Sequence, residues 1–332
     1  MKEKISVVIA VYNGAPYIRE QLDSLVRQTY PIFELIVQDD HSTDATFDIL
    51  QEYARRYPYV HVFRNESRKG MNENFFSAME RTTGDYIAIC DADDIWEADK
   101  LENQINRIGD NWLCGGISKP FTEAGSLDYD SRKPNCSIER LIHIASIFPG
   151  HTLLLKREIL PLVLPLRRFP IIYDHLISLI AGSYGKVTFV NKVLVNYRVH
   201  TTSATYTVPV MSRSGKGNRR LPNILRSVIR TVSLYIEINA DMRDWFKMIV
   251  IILLSLPPEG AVHTDALAIA RLRSQKGFLN YVRLTFLYVR LRRKLFHVEE
   301  KDGLFTLLRA VYFPISSSDY FRYMSKSHNK YV

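Results

Sequence analysis

The sequence predicts an α/β fold: a doubly wound, mostly parallel sheet flanked by helices, followed by a mainly helical, basic C-terminal region. Three observations predict it. Short apolar, β-branched runs alternate with helix-spaced apolar patterns at intervals of roughly 25–30 residues. Polar residues stand at the end of each run. Charge is divided along the chain: residues 211–332 hold 21 Lys+Arg and 9 Asp+Glu, a net of +12, which leaves −3 for residues 1–210. With 46% hydrophobic and 24% charged residues among 332, the composition excludes a disordered or fibrous chain. Three cysteines with no CxxC pair argue for reduced thiols and against a cysteine zinc site.

The elements follow in order. Ile5–Val11 is continuously apolar, the pattern of a strand buried on both faces, and it ends at the turn Tyr12-Asn13-Gly14. Ile18, Leu22, Leu25 and Val26 recur at helical spacing after Pro16. Residues 33–37 form a second strand running into Asp39-Asp-His-Ser-Thr-Asp44, with Thr43 or Asp44 capping a helix that carries Phe47, Leu50 and Tyr53. Residues 60–63 make a third strand, 72–81 a helix and 85–90 a fourth strand ending at Asp91-Ala92-Asp93-Asp94. Residues 120–150 read as a loop-rich insertion. A helix at 173–181 and strands at 186–190 and 193–197 follow. Residues 213–220 read as a basic linker, ahead of helices near 222–256, 262–274, 277–296 and 303–312. No secretory signal is recognised at the N-terminus. The apolar stretch at 248–256 falls short of the about 20 residues a membrane span takes, so the expectation is a cytoplasmic protein.

In an open α/β sheet, ligands bind beyond the carboxyl ends of the strands. No GxGxxG follows the first strand and no GxxxxGK[ST] occurs, which disfavours dinucleotide oxidoreductases and P-loop NTPases. Asp91 and Asp93, one residue apart at a strand end, suit a hard cation such as Mg²⁺ or Mn²⁺ that also takes diphosphate oxygens. The alternative is an acidic N-cap cluster for the next helix. Asp40, preferred over Asp39, can accept a hydrogen bond from a pyrimidine N3–H; helix capping is its alternative too. Lys69 could pair with a phosphate, but taken alone it reads as a solvated loop lysine.

Val7-Val-Ile-Ala-Val-Tyr-Asn-Gly14, Gln28-Thr-Tyr-Pro-Ile-Phe-Glu-Leu-Ile-Val37, Asp39-Asp-His-Ser-Thr-Asp44, Gly84-Asp-Tyr-Ile-Ala88 and Asp91-Ala-Asp-Asp-Ile-Trp96 together resemble the family-2 inverting glycosyltransferases of GT-A fold. Tyr173-Asp-His-Leu176, Gly185-Lys-Val187 and Tyr197-Arg-Val-His200 resemble the bacterial cell-surface polysaccharide branch, rhamnosyltransferase-like members included. The resemblance covers residues 4–205 and implies a catalytic domain over 1–205, with 206–332 a separate region. It implies a nucleotide-sugar donor carrying UDP or dTDP. Ala10, Tyr12, Asp40, Lys69 and Asp91 would contact the nucleotide. Asp91, Asp93 and His200 would hold Mn²⁺ or Mg²⁺, with Asp174 as catalytic base toward a glycan or lipid-linked acceptor. This chain departs from the pattern at His41, where the family usually has Gly, and after His200, where Thr-Thr-Ser replaces an Asn- and Gly-containing tail.

In the basic region, Lys276, Arg283 and Arg290 fall seven apart among aromatic and aliphatic residues, which suits peripheral binding at an anionic membrane surface. Packing, or homodimerisation, is the alternative. The alternative functions are a nucleotidyltransferase and a nucleic-acid-binding protein. A nucleotidyltransferase would carry a basic, Gly-rich loop after its first strand, where this chain has Tyr12-Asn13-Gly14-Ala15-Pro16. A nucleic-acid partner is disfavoured because acidic motifs sit at the strand ends.

Overall fold

The computed structural model describes residues 2–129, 131–143, 147–200, 221–296, 298 and 300–317; the basic stretch at 213–220 and the boundary at 205 lie outside them. The first ninety residues alternate as the pattern requires: β1 (Ile5–Val11), α1 (Ile18–Val26), β2 (Glu34–Asp39), α2 (Thr46–Arg56), β3 (Val60–Arg64), α3 (Met71–Glu80) and β4 (Tyr86–Cys90). The four strands are parallel, with Val7 of β1 level with Leu35 of β2 and Ala88 of β4. Their side chains alternate between two cores. Val8, Ile36, Ile87 and Ile89 join one; Val7, Ile9, Leu35, Val37 and Ala88 join the other. Helices therefore cover both faces of the sheet.

Beyond β4 the chain builds β5 (Ile95–Trp96), α4 (Lys100–Ile108), β6 (Leu113–Thr122), β7 (Gly125–Ser126), α5 (Ile138–Leu141), β8 (Leu154–Lys156), α6 (Leu160–Val163), α7 (Tyr173–Ser183) and β9 (Val187–Arg198). Across the sheet the order is β3-β2-β1-β4-β8-β6-β9-β5, with β7 beside β6. The sheet is thus parallel on one side and mixed on the other, because β8 runs antiparallel to both β4 and β6. The two strands expected at 186–190 and 193–197 are one strand, β9, whose register against β6 shifts between Gly116 and Ser118. β6 itself needs Gly115 and Gly116: a Cβ would lie 2.4 Å from the Phe148 ring at the first and 2.2 Å from a Leu194 methyl at the second.

Downstream come α8 (Leu221–Ser255), α9 (Thr264–Arg273), α10 (Phe278–Arg290), α11 (Arg292–Leu295) and α12 (Leu304–Ser316), close to the predicted spans. Met242, Phe246, Ile249, Tyr288 and Phe313 of these helices share one continuous core with Val8 and Ile87 of the sheet. The seam is also polar. Asn135 donates to the carbonyls of Arg293 (2.9 Å) and Phe296 (2.7 Å), and Arg140 donates to that of Leu295. His175 of α7 stacks on Trp245 of α8, ring centroids 5.6 Å apart. Among the described residues no helix is long and apolar enough to cross a membrane.

Lys100 opens α4 fully buried. Its Nζ lies 3.8 Å from the centre of the Trp96 ring and donates to Gln104 Oε1 at 2.7 Å. Burial lowers its pKa to about 7. Between that value and the 10.5 of an unperturbed lysine, the unfolded chain binds more protons than the folded one, so this group's contribution to stability rises with pH. Lys100→Met should remove that rise, up to about 1.4 kcal/mol per pH unit. Urea denaturation of both proteins across this pH window checks it; identical pH dependence would show that Lys100 stays charged in the fold.

Candidate active site

The site forms where β1, β2, β4 and β9 end. Asn13 and His41, each in the turn after its strand, have left-handed backbones with φ of 50° and 62°. Side chains hold the two turns together. The Asn13 N–H donates to Ser42 Oγ (2.9 Å), and Asn13 Oδ1 accepts from the Thr43 N–H (2.8 Å). The left-handed backbone gives a physical reason for a glycine at position 41; among other residues, histidine is one of the few enriched there. Asp39 is fully buried and serves the turn, accepting from the Ser42 N–H and pairing with Arg64 Nε at 3.2 Å.

Asp40 organises the loop after β3. Its Oδ1 accepts from Asn65 Nδ2 (2.8 Å) and the Lys69 N–H (2.7 Å), and its Oδ2 accepts from the Gly70 N–H (2.9 Å). The loop carries Arg68 over the half-exposed Tyr12, its guanidinium 4.0 Å from the ring centre and 4.0 Å from Asp40. Ala10 is half-buried at the end of β1. Lys69 meets Asp40 through its backbone, while its side chain is exposed. Tyr12, Arg68 and Asp40 thus combine an aromatic face, a planar cation and a carboxylate.

The acidic turn is reached from two sides. β8 pairs with β4 so that Ala88 lies level with Leu154, and the Ile89 N–H donates to the Leu153 carbonyl. Continuing that register puts His151 opposite Asp91. His151 Nδ1 is 3.1 Å from Asp91 Oδ2 and 3.4 Å from Asp94 Oδ2. On the other side, Ile95 is level with Asn196 of β9, so the end of β9 meets the turn. The Arg198 N–H donates to Asp94 Oδ1 (2.9 Å), Arg198 Nε donates to the Asp93 carbonyl (3.0 Å), and His200 Nε2 is 2.9 Å from Asp93 Oδ2. The rings of Tyr17 and His200 are 4.6 Å apart, and Tyr197 stacks on His151 at 5.2 Å.

The electrostatics follow from burying like charges together. Burial and the neighbouring Asp91 raise the Asp93 carboxyl, against His200; burial raises Asp94 far above its ordinary range, against His151. Burial opposes the protonation of His151, but Asp94 and Asp91 outweigh it and raise its pKa. Asp94 Oδ2 and His151 Nε2 are buried without a hydrogen bond. Donor atoms of Asp91, Asp94 and His151 lie within 4.8 Å of one another. Crowded carboxylates with raised pKa values, an orphaned oxygen and imidazole nitrogens form a donor set that fits a divalent cation.

Asp174 lies in the first turn of α7. It is half-buried, with Oδ1 accepting from the His175 N–H (2.7 Å) and Oδ2 from the Gly150 N–H (3.1 Å). Burial, with the nearby Asp91 charge, raises it to about 7. Gly150 has no room for a side chain, since a Cβ would fall 1.9 Å from Tyr173 Oη. The structure sets His200 against Asp93 and Asp174 within reach of the Asp91 charge, but the donor atoms that gather in one group are those of Asp91, Asp94 and His151 rather than the expected Asp91, Asp93 and His200. Sequence reasoning missed His151, Arg68 and Arg198. The polar Arg68-Lys69 pair at a strand end was the available signal for Arg68; His151 had none in the local pattern.

Residues 6–160 match the model for glycosyl transferase family 2. A putative teichuronic acid biosynthesis glycosyltransferase, TuaG of Bacillus subtilis, is 40% identical over 104 residues, 31% of this chain and 41% of the relative's own length. The crystal structure of residues 1–349 of S. aureus TarS in complex with UDP-GlcNAc superposes with a TM-score of 0.55 at 17% identity, covering 98% of this chain and 92% of that one. A mannosyltransferase from Pyrobaculum calidifontis, in complex with GDP-Man and Mn²⁺, gives 0.53 at 18%, covering 99% and 87%. The architecture is the α/β GT-A fold; the match to glycosyl transferase family 2 lies in residues 6–160, and the chain spans less than half the length of TuaG.

Proposed function

We propose that the protein is an inverting glycosyltransferase that moves a sugar from a UDP- or dTDP-sugar to a glycan or lipid-linked acceptor of a cell-surface polysaccharide. The observation that carries this reading is the half-buried Asp91–Asp93–Asp94 turn, with Asp94 fully enclosed, near the carboxyl of Asp174, whose pKa is about 7. TuaG belongs by its name to teichuronic acid biosynthesis, and the TarS structure holds UDP-GlcNAc, which supports a nucleotide-sugar donor. Tyr12 and Arg68 would bracket the base, Ala10 would line the nucleoside, and Asp40 would read the pyrimidine edge. Lys69 would pair with a phosphate. Asp91, Asp93 and His200, with His151 and Asp94 behind them, would hold Mn²⁺ or Mg²⁺. When bound, the cation supplies positive charge against the departing diphosphate. Asp174 would accept the proton of the acceptor hydroxyl as that oxygen attacks the anomeric carbon, with inversion. Residues 1–205 would carry this chemistry, and 206–332 would set where it happens.

For location we propose the cytoplasmic membrane surface. Leu279, Arg283, Phe286 and Arg290 line the exposed face of α10, while Phe305, 88% exposed, and Leu308 project from α12. Of the three basic residues expected on one face, Arg290 is engaged by Asp265 at 2.6 Å, which leaves Lys276 and Arg283 the freer charges. A homodimer through the same face is the competing use.

Three outcomes test this reading. In a panel of nucleotide sugars, release of nucleoside diphosphate should need Mn²⁺ or Mg²⁺, and Asp93→Ala should lose metal-dependent donor binding while remaining folded; donor affinity indifferent to chelator would refute the metal role. Asp174→Asn should keep donor binding and lose about 10²–10⁴-fold in turnover. In the wild type, turnover should fall as pH drops through about 7, because the raised carboxyl is then protonated. A flat profile would place the base elsewhere. Phe286→Ser with Phe305→Ser should abolish flotation on anionic liposomes, whereas loss of dimer in sedimentation, without any flotation by the wild type, would favour the dimer.

A further inference from the structure

Away from the carboxylate cluster, a cavity of about 240 Å³ opens between α8, α9 and the start of α10. Three cations line it: Arg243 from α8, Arg273 from α9 and Lys276 from the turn before α10. Asn239, Gln275 and Tyr281 add polar groups, and no carboxylate is among the lining residues. Arg273 is only 6% exposed. Its guanidinium donates to Tyr288 Oη (2.9 Å), the Pro314 carbonyl (2.8 Å) and Ser317 Oγ, all of them neutral. A buried guanidinium ordinarily takes an anionic partner. None of the nearby acids lines the cavity: Asp244 pairs with Lys247, Asp265 with Arg290 and Lys294, Asp302 with Arg292 and Arg293, and Glu237 and Asp241 of α8 are exposed outside the lining.

We propose that this cavity binds the phosphate group of an anionic ligand, a phosphomonoester or phosphodiester, at a site separate from the one assigned to the sugar donor. The charge arrangement carries the inference. A half-buried Arg243, an exposed Lys276 and a fixed, buried Arg273 line one concavity, where field lines focus. A guanidinium already oriented by three neutral acceptors is preorganised to receive an oxyanion. The first turn of α10 adds to this: Gly277 precedes it with no side-chain cap, so its free N–H groups favour negative charge nearby. The volume lies below the roughly 300–1,000 Å³ of pockets for whole drug-sized ligands, so it suits a headgroup rather than a complete nucleotide sugar. Phe278, 82% exposed, and Leu279 directly follow Gly277, so an ester chain leaving the cavity would meet apolar surface.

The test uses the full chain and isothermal titration with inorganic phosphate, dihexanoyl phosphatidylglycerol below its micellar concentration, and dihexanoylglycerol, which lacks phosphate. The wild type should bind one or both phosphate probes, more weakly as salt rises. Arg243→Gln with Lys276→Gln should weaken that binding about tenfold or more at an unchanged melting temperature, and Arg243→Lys alone should largely preserve it. Equal affinity for the two phosphate probes would identify a free phosphate as sufficient; a clear preference for the lipid would identify a headgroup as the source. Binding of neither, equal binding of dihexanoylglycerol, or undiminished binding by the double variant would overturn the proposal.

Discussion

Three carboxylates within four residues cannot occupy the end of a buried strand unless positive charge or hydrogen-bond donors are brought to them. Asp91, Asp93 and Asp94 impose that constraint on everything built after β4. β8 turns antiparallel and delivers His151; β9 runs past β5 and delivers Arg198 and His200. The mixed half of the sheet is therefore the scaffold that makes the parallel half's acidic terminus tolerable. Arg198 shows how closely the two are tied. One side chain and its own amide reach Asp93, Asp94 and, through a further ion pair, Glu20 of α1.

The βαβ half was legible because its signals are local. A strand buried on both faces reads as an unbroken apolar run, as at Ile5–Val11, and its polar end marks the ligand side. The same logic found Asp40, Asp91 and Asp93. The mixed half was legible only in part: α7 and β9 were expected, whereas β5, β6 and β8 were not. β6 contains Gly115 and Gly116, which suppress the appearance of a strand, and they are there because Phe148 and Leu194 fill the space of their side chains. Such a reason exists only in three dimensions. His151 belongs to the same class: nothing beside it in the chain announces a partner 60 residues away, and only the β4–β8 register supplies one. Asp174 was placed through its family motif; its burial and its bonds to the His175 and Gly150 amides could be seen only in the fold.

Backbone strain is gathered in one place. Asn13 and His41 are the non-glycine residues with left-handed φ among those described, and both lie in the turns that abut the site. Each costs conformational free energy, which the cross-turn hydrogen bonds from Asn13 to Ser42 and Thr43 help to offset. These turns fix the approach of Tyr12 and Asp40, so rigidity is greatest where a base would have to be recognised by edge and face.

The continuous core that runs from Val8 to Phe313 has a consequence for biosynthesis. Contacts such as Asn135 to Arg293 and Tyr288 to His143 close loops of about 150 residues, so their reward comes only after a large loss of chain entropy. During translation, β1 to β4 can pair as they emerge and α3 can cover one face, yet the outer side of α5 and α7 lacks its partners until the last helices leave the ribosome. The nascent protein must carry an uncovered apolar surface for roughly the time taken to make its final third, at about 5–20 residues per second, and a chaperone able to shield that face would find its substrate in this interval.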